Sequence, residues 1–334
     1  MTAGTGGCTT SRSLRVGAVQ LPWQSDLEGR AVDWTRLFRP GVERAASAGC
    51  GLVAFPSLPL ATPLEAEGLE ALKAATGVLA REHGIILVPG AVEGYAVPGQ
   101  SGRGEPRPYF RQTMAIAPDG SIIGEQDQTH VSPEESARGQ LAGRVAKAFA
   151  LPPPAPRGLR LGMLVGLDAW YPEVGRILML KGASLLVASV AMPAPYEPWR
   201  QVAAMWQQAQ QNQVFAIEAC AVGRWGEAEF AGRSAILGPC EAVATGSGIL
   251  AQAGIDTAAL PVTEWAAGIG TAGSSEPGLV TAELDFDVLQ SVVDSYSIWE
   301  QQNPDFYREI FPGLYEPETD ESDRAASFGE RGCA

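Results

Sequence analysis

Two runs in which apolar strand-like segments alternate with helical ones constrain the fold more than any other feature of this chain. The first begins at Leu14–Leu21 (LRVGAVQL), whose alternation reads as a strand, and continues into a helical pattern from about Leu27 to Ala48 carried by Val32, Leu37, Val42, Ala45 and Ala46. Pro40 is expected to kink or restart that helix. Gly51–Phe55 is all apolar and so a candidate buried strand, Leu64–His83 is a helix closed by Gly84, and IILVPGAVEGY (85–95) is a strand. Tyr109–Ala117 and Ile122–Gln126 flank Pro118-Asp119-Gly120, a hairpin signal. A connection rich in Gly, Ala and Pro (132–158) leads to the second run: a strand from Leu159, helix 173–181, strand 183–190, helix 198–213, and strands 214–223, 231–238 and 279–285. Alternation of this kind requires an α/β architecture, here one domain built from two similar layers.

The 334 residues suffice for a full core, and 46% hydrophobic with 19% charged residues is ordinary for a globular chain. A formal net charge of −14 excludes a nucleic-acid surface or an anionic membrane surface, which need clustered Lys and Arg. No apolar stretch is long enough for a transmembrane helix, and MTAGTGGCTTSRS lacks the apolar core of a signal peptide, so the expected location is the cytoplasm. The 5 cysteines have no C-x-x-C spacing and the 2 histidines stand far apart, so neither a disulfide framework, a metal site nor a cofactor is expected. Gly268-Ile269-Gly270-Thr271-Ala272-Gly273 matches G-x-G-x-x-G, but the flanking TEWAA and SSEPG supply neither the strand nor the helix start that a dinucleotide site needs. Residues 1–12 read as a flexible leader, 13–315 as one domain with 247–278 as a surface insertion, and the acidic 316–334 as a disordered tail.

The strand ends, taken together, resemble the nitrilase (carbon–nitrogen hydrolase) superfamily from about Leu14 to Tyr315. The segments are LRVGAVQ, GLVAFPS, GEQDQTH, LGMLVGLDAWYPE, KGASLLVAS, QAQQNQVFAIEACAVG and FAGRSAILGP, in the family's order. The resemblance implies a four-layer αββα sandwich with a catalytic Glu, Lys and Cys at three strand ends. In that chemistry the thiolate attacks a nitrile or amide carbon, the glutamate takes the thiol proton, and the lysine with a backbone N–H stabilises the developing anion. The matching positions here are Ser57, Gln128 and Gly166. Glycine cannot form a covalent intermediate, serine is no base without a partner, and glutamine donates hydrogen bonds without charge. Losing the carboxylate or the ammonium alone would leave a buried charge uncompensated, at ~3–5 kcal/mol, whereas losing both avoids that.

Other departures neutralise the site further. Trp170 stands where the family often has Arg, Gln208 and Gln211 replace an Arg and a Glu, and Cys220 replaces a frequent Asn. His130, Glu135, Asp168, Pro172 and Glu173 remain. His130, Glu135, Asp168 and Trp170 are the candidate pocket residues; His130 reads as a hydrogen-bonded structural group or a base, and Asp168 and Glu173 as helix caps. Cys220, inside an apolar strand, reads as a buried inert thiol or a relocated nucleophile. The expectation is a catalytically inactive nitrilase-fold protein acting as a structural, assembly or regulatory subunit, as a homo-oligomer or within a larger protein complex. The alternatives are a hydrolase of C–N bonds with non-standard catalytic residues, and a sensor of a small neutral amide-like ligand.

Overall fold

The computed structural model describes residues 12–22, 32–58, 60–96, 106–225, 228–253, 278–298 and 300–315. The leader up to residue 11, most of the 247–278 stretch with its glycine-rich decoy, Trp299 and the acidic tail therefore lie outside the described residues. The chain divides into two units, Met1–Ser295 and Tyr296–Ala334. The second contains a helix, Pro304–Tyr315, in which Tyr307 and Phe311 stack with ring centroids 5.4 Å apart.

In the first unit β1 (Ser13–Pro22) leads into α1 (Trp34–Ser47), β2 (Leu52–Ala54), α2 (Ala66–His83), β3 (Ile86–Val88), β4 (Ala91–Tyr95) and the hairpin β5 (Tyr109–Ile116)–β6 (Ile122–Asp127). The 132–158 connection is not structureless: it holds a short helix, α3 (Pro133–Ala137), and β7 (Ala148–Ala150). There follow β8 (Arg160–Val165), a 3-10 turn Gly166–Trp170, α4 (Pro172–Leu180) and β9 (Leu185–Val190). The helical stretch 198–212 comes in pieces, α5 (Pro198–Gln201), a π segment Val202–Trp206 and α6 (Gln207–Asn212). Then come β10 (Phe215–Trp225), β11 (Ala228–Ala231), β12 (Ala235–Leu237), β13 (Ile249–Gln252), β14 (Gly278–Asp285) and α7 (Phe286–Ser295).

Strand order runs β4-β5-β3-β2-β1-β10-β9-β8-β7, with β6 on β5, β14 on β1 and β12–β13 on β10. The join between the halves is narrow, Leu21 with Ala221 and Pro22 with Val222. On either side of it the chain forms two sheets whose inner faces meet. Leu14, Val16, Ala18, Leu52, Ala54, Ile86 and Val88 from one half share a core with Leu161, Met163, Leu185, Val187, Phe215 and Ile217 from the other. The outer face of the first half carries Val19, Val53 and Leu87 against Trp34, Leu37, Phe38, Val42, Leu72 and Leu79 of α1 and α2. On the second half Gly162 gives room for Leu178 of α4 and for Leu186. The layers are thus helix, sheet, sheet, helix, and β2 and β3 are all-apolar because both their faces are covered.

Four local expectations change. Of the two outcomes expected at Pro40, a restart is not seen, since α1 runs on through it, and Gly41 beside it lets the Phe55 ring approach closely. Residues 85–95 form two strands, parted at Gly90 with φ +90, where a Cβ would strike the Pro56 carbonyl oxygen. The single strand expected at 231–238 is the end of β11 and the whole of β12. Ile249–Gln252, expected to open a surface insertion, pairs with β12 inside the sheet.

Candidate functional site

The C-terminal ends of β2 and β8 and the end of β6 bring Ser57, Gly166 and Gln128 to the same side of the sheets. Gly166 has φ +53, the left-handed region that a side chain enters only at a cost, and it follows β8 directly as a strand-to-helix elbow does. The elbow backbone is present and its side chain is not. A Cβ at Gly166 would lie 2.7 Å from Gln128 Oε1 and 3.6 Å from Arg111 Nη1, so these two groups face the position that a nucleophile would hold.

Gln128 is wholly buried. Its amide nitrogen donates to the His130 carbonyl at 2.6 Å and lies 3.4 Å from Glu135 Oε2, while its Oε1 accepts from Arg111 Nη1 at 3.4 Å. Arg111 Nη1 also donates to Glu135 Oε1 at 2.6 Å, and Nη2 to Glu93 Oε1. Burial works against the Arg111 cation, but the two carboxylates outweigh it and raise its pKa above the ordinary guanidinium value. Burial likewise works against the Glu135 carboxylate, but the Ser132 N–H and Arg111 overcome it and hold Glu135 below the ordinary range. Ser132 and Glu135 form a capping box on α3, Ser132 N donating to Glu135 Oε2 at 3.0 Å and Glu135 N to Ser132 Oγ at 3.2 Å. One glutamate thus caps a helix with one oxygen and binds the arginine with the other.

Ser57 takes no part in this network. Its N–H donates to the Val190 carbonyl at 3.3 Å, tying the end of β2 to the end of β9, and among the described residues no side-chain hydrogen bond joins it to Gln128. Trp170 is also turned away, its indole N–H donating to the Arg200 carbonyl at 3.1 Å. Asp168 does not cap the helix that follows it. Its buried carboxylate accepts from Thr129 N at 3.0 Å, Thr129 Oγ1 at 2.8 Å and His130 N at 2.9 Å, clamping the elbow to the end of β6. His130 Nδ1 lies 3.2 Å from the same oxygen, and the imidazole stacks on Tyr171 at 3.8 Å while staying about one third exposed (34%). Gln208 Nε2 donates to the Tyr171 carbonyl at 3.0 Å and Asn212 Nδ2 to Gln208 Oε1 at 3.0 Å, so the glutamine in place of an arginine still fastens α6 to the elbow.

Cys220 lacks the exposure and the lowered pKa that a nucleophilic thiol needs. It is fully buried on the outer face of β10, and burial, with Glu218 beside it, pushes its thiol well above the ordinary range. Arg111 and Glu93 were invisible to motif reasoning, although each is the lone charge of its strand and the two are direct cross-strand partners. Ser132-Pro133-Glu134-Glu135 also carried a readable capping-box signature.

The sequence profile of the carbon–nitrogen hydrolases matches residues 15–267. The chain belongs to that family. It is 28% identical over 132 residues to an (R)-stereoselective amidase from Pseudomonas sp., a match spanning 39% of this chain and 45% of the relative, less than half of that enzyme's length. The carbon–nitrogen hydrolase of Helicobacter pylori superposes with a TM-score of 0.68 at 20% identity, covering 90% of this chain and 98% of that one. An amidase from Nesterenkonia sp. superposes at 0.61 with 22% identity, covering 84% and 93%. At these identities the structural likeness establishes the nitrilase-like α/β fold. This member of the family has no helix among its described residues long and apolar enough to cross a membrane. Nor, among those residues, does any group of three or more His, Cys, Asp or Glu side chains stand ready to hold a metal ion.

Proposed function

We propose that this carbon–nitrogen hydrolase family member does not carry out covalent C–N hydrolysis and acts as a structural, assembly or regulatory subunit, as a homo-oligomer or within a larger cytoplasmic complex. The observation that carries the reading is the side-chainless elbow at Gly166 faced by Gln128 and Arg111. The polar atoms of those two groups are engaged with Glu93, Glu135 and the His130 carbonyl. A pocket that must bind a substrate carbonyl needs donors left over for it, and a nucleophile beside them. The test is turnover of a panel of amides, nitriles and carbamoyl compounds by protein purified over two orthogonal columns. No turnover above a buffer control is expected. Hydrolysis that co-elutes with the protein and disappears in Gln128→Ala overturns the reading.

A second reading, hydrolysis of amides through other groups, draws support from the likeness to an (R)-stereoselective amidase and from the partly exposed His130 imidazole beside Asp168. A carboxylate beside Nδ1 orients an imidazole as a base through its other nitrogen. If that reading holds, His130→Gln abolishes hydrolysis while leaving the fold intact by circular dichroism.

A further inference from the structure

The second buried polar cluster lies on the outer face of β10, under the broken helix 198–212. Glu218 projects there from between Ala216 and Cys220 and is completely buried. Its Oε2 accepts from Gln201 Nε2 of α5 at 2.5 Å, and among the described residues no donor reaches Oε1. Gln201 is fully committed: Nε2 also donates to the Arg233 carbonyl at 2.9 Å, and Oε1 accepts from Gln252 Nε2 at 2.7 Å and Tyr196 Oη at 2.8 Å. The cation of the cluster, Arg233, turns its guanidinium over the Tyr196 ring at 4.7 Å and toward the Ala253 carbonyl, and the polar partner found for the Glu218 carboxyl among the described residues is Gln201. The remaining titratable neighbours are Tyr196 and Cys220, and the strand residues alongside on β9 are Ala188 and Val190.

The chain directly above this carboxyl is where the helix loses its regular bonding. α5 ends at Gln201, the next five residues are π-helical, and Ala204 leaves helical geometry altogether at φ −101, ψ −115. The pieces on either side are anchored elsewhere, Arg200 O to Trp170, Trp206 Nε1 to the Ser247 carbonyl and Gln208 to the Tyr171 carbonyl behind the Gly166 elbow.

We propose that Glu218 is a proton-operated latch on the 198–212 helix. With a proton, the carboxyl is a neutral group that Gln201 satisfies on one side; without it, a wholly buried anion pairs with no cation among the described residues, and the Gln201 end of the helix opens to bring water to it. Burial pushes Glu218 up to about 7, against the pull of the Gln201 hydrogen bond. Burial also pushes Tyr196 up to about 12, and Cys220 is raised as well, so neither neighbour ionises in the same range. The folded carboxyl thus holds its proton more tightly than the unfolded or opened one. The stabilisation is complete below the ordinary carboxylate range, declines as pH rises toward 7, and is gone above it. Paired carboxylates such as Glu135 give the opposite slope. Because α6 also holds the elbow, the latch links proton uptake to the Gly166 site, and it stands whether or not that site is catalytic.

The experiment is amide hydrogen exchange across 198–212 in the whole protein, corrected for intrinsic exchange, between about pH 5 and about pH 8. In the wild type protection falls by up to about tenfold per pH unit below about pH 7 and levels off above it, the limit for one linked proton. In Glu218→Gln the profile is flat. An equal slope in the variant, or wild-type protection that does not fall with pH, overturns the proposal. Should Glu218→Gln fail to fold, infrared difference spectroscopy of the wild type decides: a protonated-carboxyl stretch that titrates near neutrality is expected, and its absence at about pH 6 overturns the latch.

Discussion

Around Gly166 the buried Arg111 guanidinium is shared by Glu93 and Glu135, whereas under the broken helix the Glu218 carboxyl has Gln201 alone among the described residues. The first cluster lies at the β4–β5 end of the sheet order and the second on the central strand β10, and both put glutamine beside a buried charge. They differ in how the charge is made tolerable. In the first, each charged group has an opposite partner at hydrogen-bond distance, and the pairing holds Arg111 above and Glu135 below its ordinary range. In the second, no cation among the described residues pairs with the carboxyl, and burial strengthens its hold on a proton instead. Burial of a charge in a protein ends in one of these two ways, because desolvation costs more than any unpaired group can sustain.

Removing Arg111 is the hardest test of that contrast. Arg111→Met leaves Glu93 and Glu135 facing each other across β4 and α3 with no cation between them, and a loss of about 3–5 kcal/mol is expected in urea unfolding at neutral pH. Combining it with Glu135→Gln recovers part of the loss. The paired Glu135 carboxylate contributes stability that is present above the ordinary carboxylate range and lost as pH falls through its lowered folded value, so the acid limb of the stability curve also flattens in Glu135→Gln. A cost below about 1 kcal/mol for Arg111→Met would erase the distinction between the two clusters.

Asp168→Ala removes the acceptor of the Thr129 and His130 backbone donors without leaving a cation behind, so its expected cost is smaller, about 1–3 kcal/mol by the same measurement. Gly166→Ala asks how much of the elbow's geometry depends on glycine. The φ of +53 costs an alanine about 1–2 kcal/mol, and Gln128 Oε1 must also move aside. The smallest effect is expected at Ser132→Ala, about 1 kcal/mol, because only the α3 cap is lost while Arg111 continues to hold Glu135. If Ser132→Ala costs as much as Arg111→Met, the capping box rather than the arginine organises the site.

Much of the fold was legible in the chain. Alternating and all-apolar runs placed β1, β2, the hairpin and β8–β10 to within a few residues, because inward and outward faces repeat with the strand period and covered strands are apolar throughout. Gly84 marked the end of α2 by the left-handed conformation it adopts there. The site was half legible. Gln128 and Gly166 could be located by their place in ordered motifs, and they do face each other; Ser57 could be located too, but its hydroxyl joins nothing in the network. Asp168 looked like a cap because local spacing is all that a motif shows, and its true donors come from residues 129 and 130 in the loop after β6.

The sequence by itself determined the layers, the family and the absence of a thiol at the elbow, since each of these is written in side-chain type and periodicity along one stretch of chain. Only the tertiary structure decided which charges are compensated. Arg111 meets Glu93 across a strand pair and Glu135 across a loop, Glu218 meets Gln201 across two layers, and Arg233 passes Glu218 by for Tyr196 and Ala253. Electrostatic cost depends on distances of a few ångströms between residues remote in the chain, and no pattern along the chain records those distances.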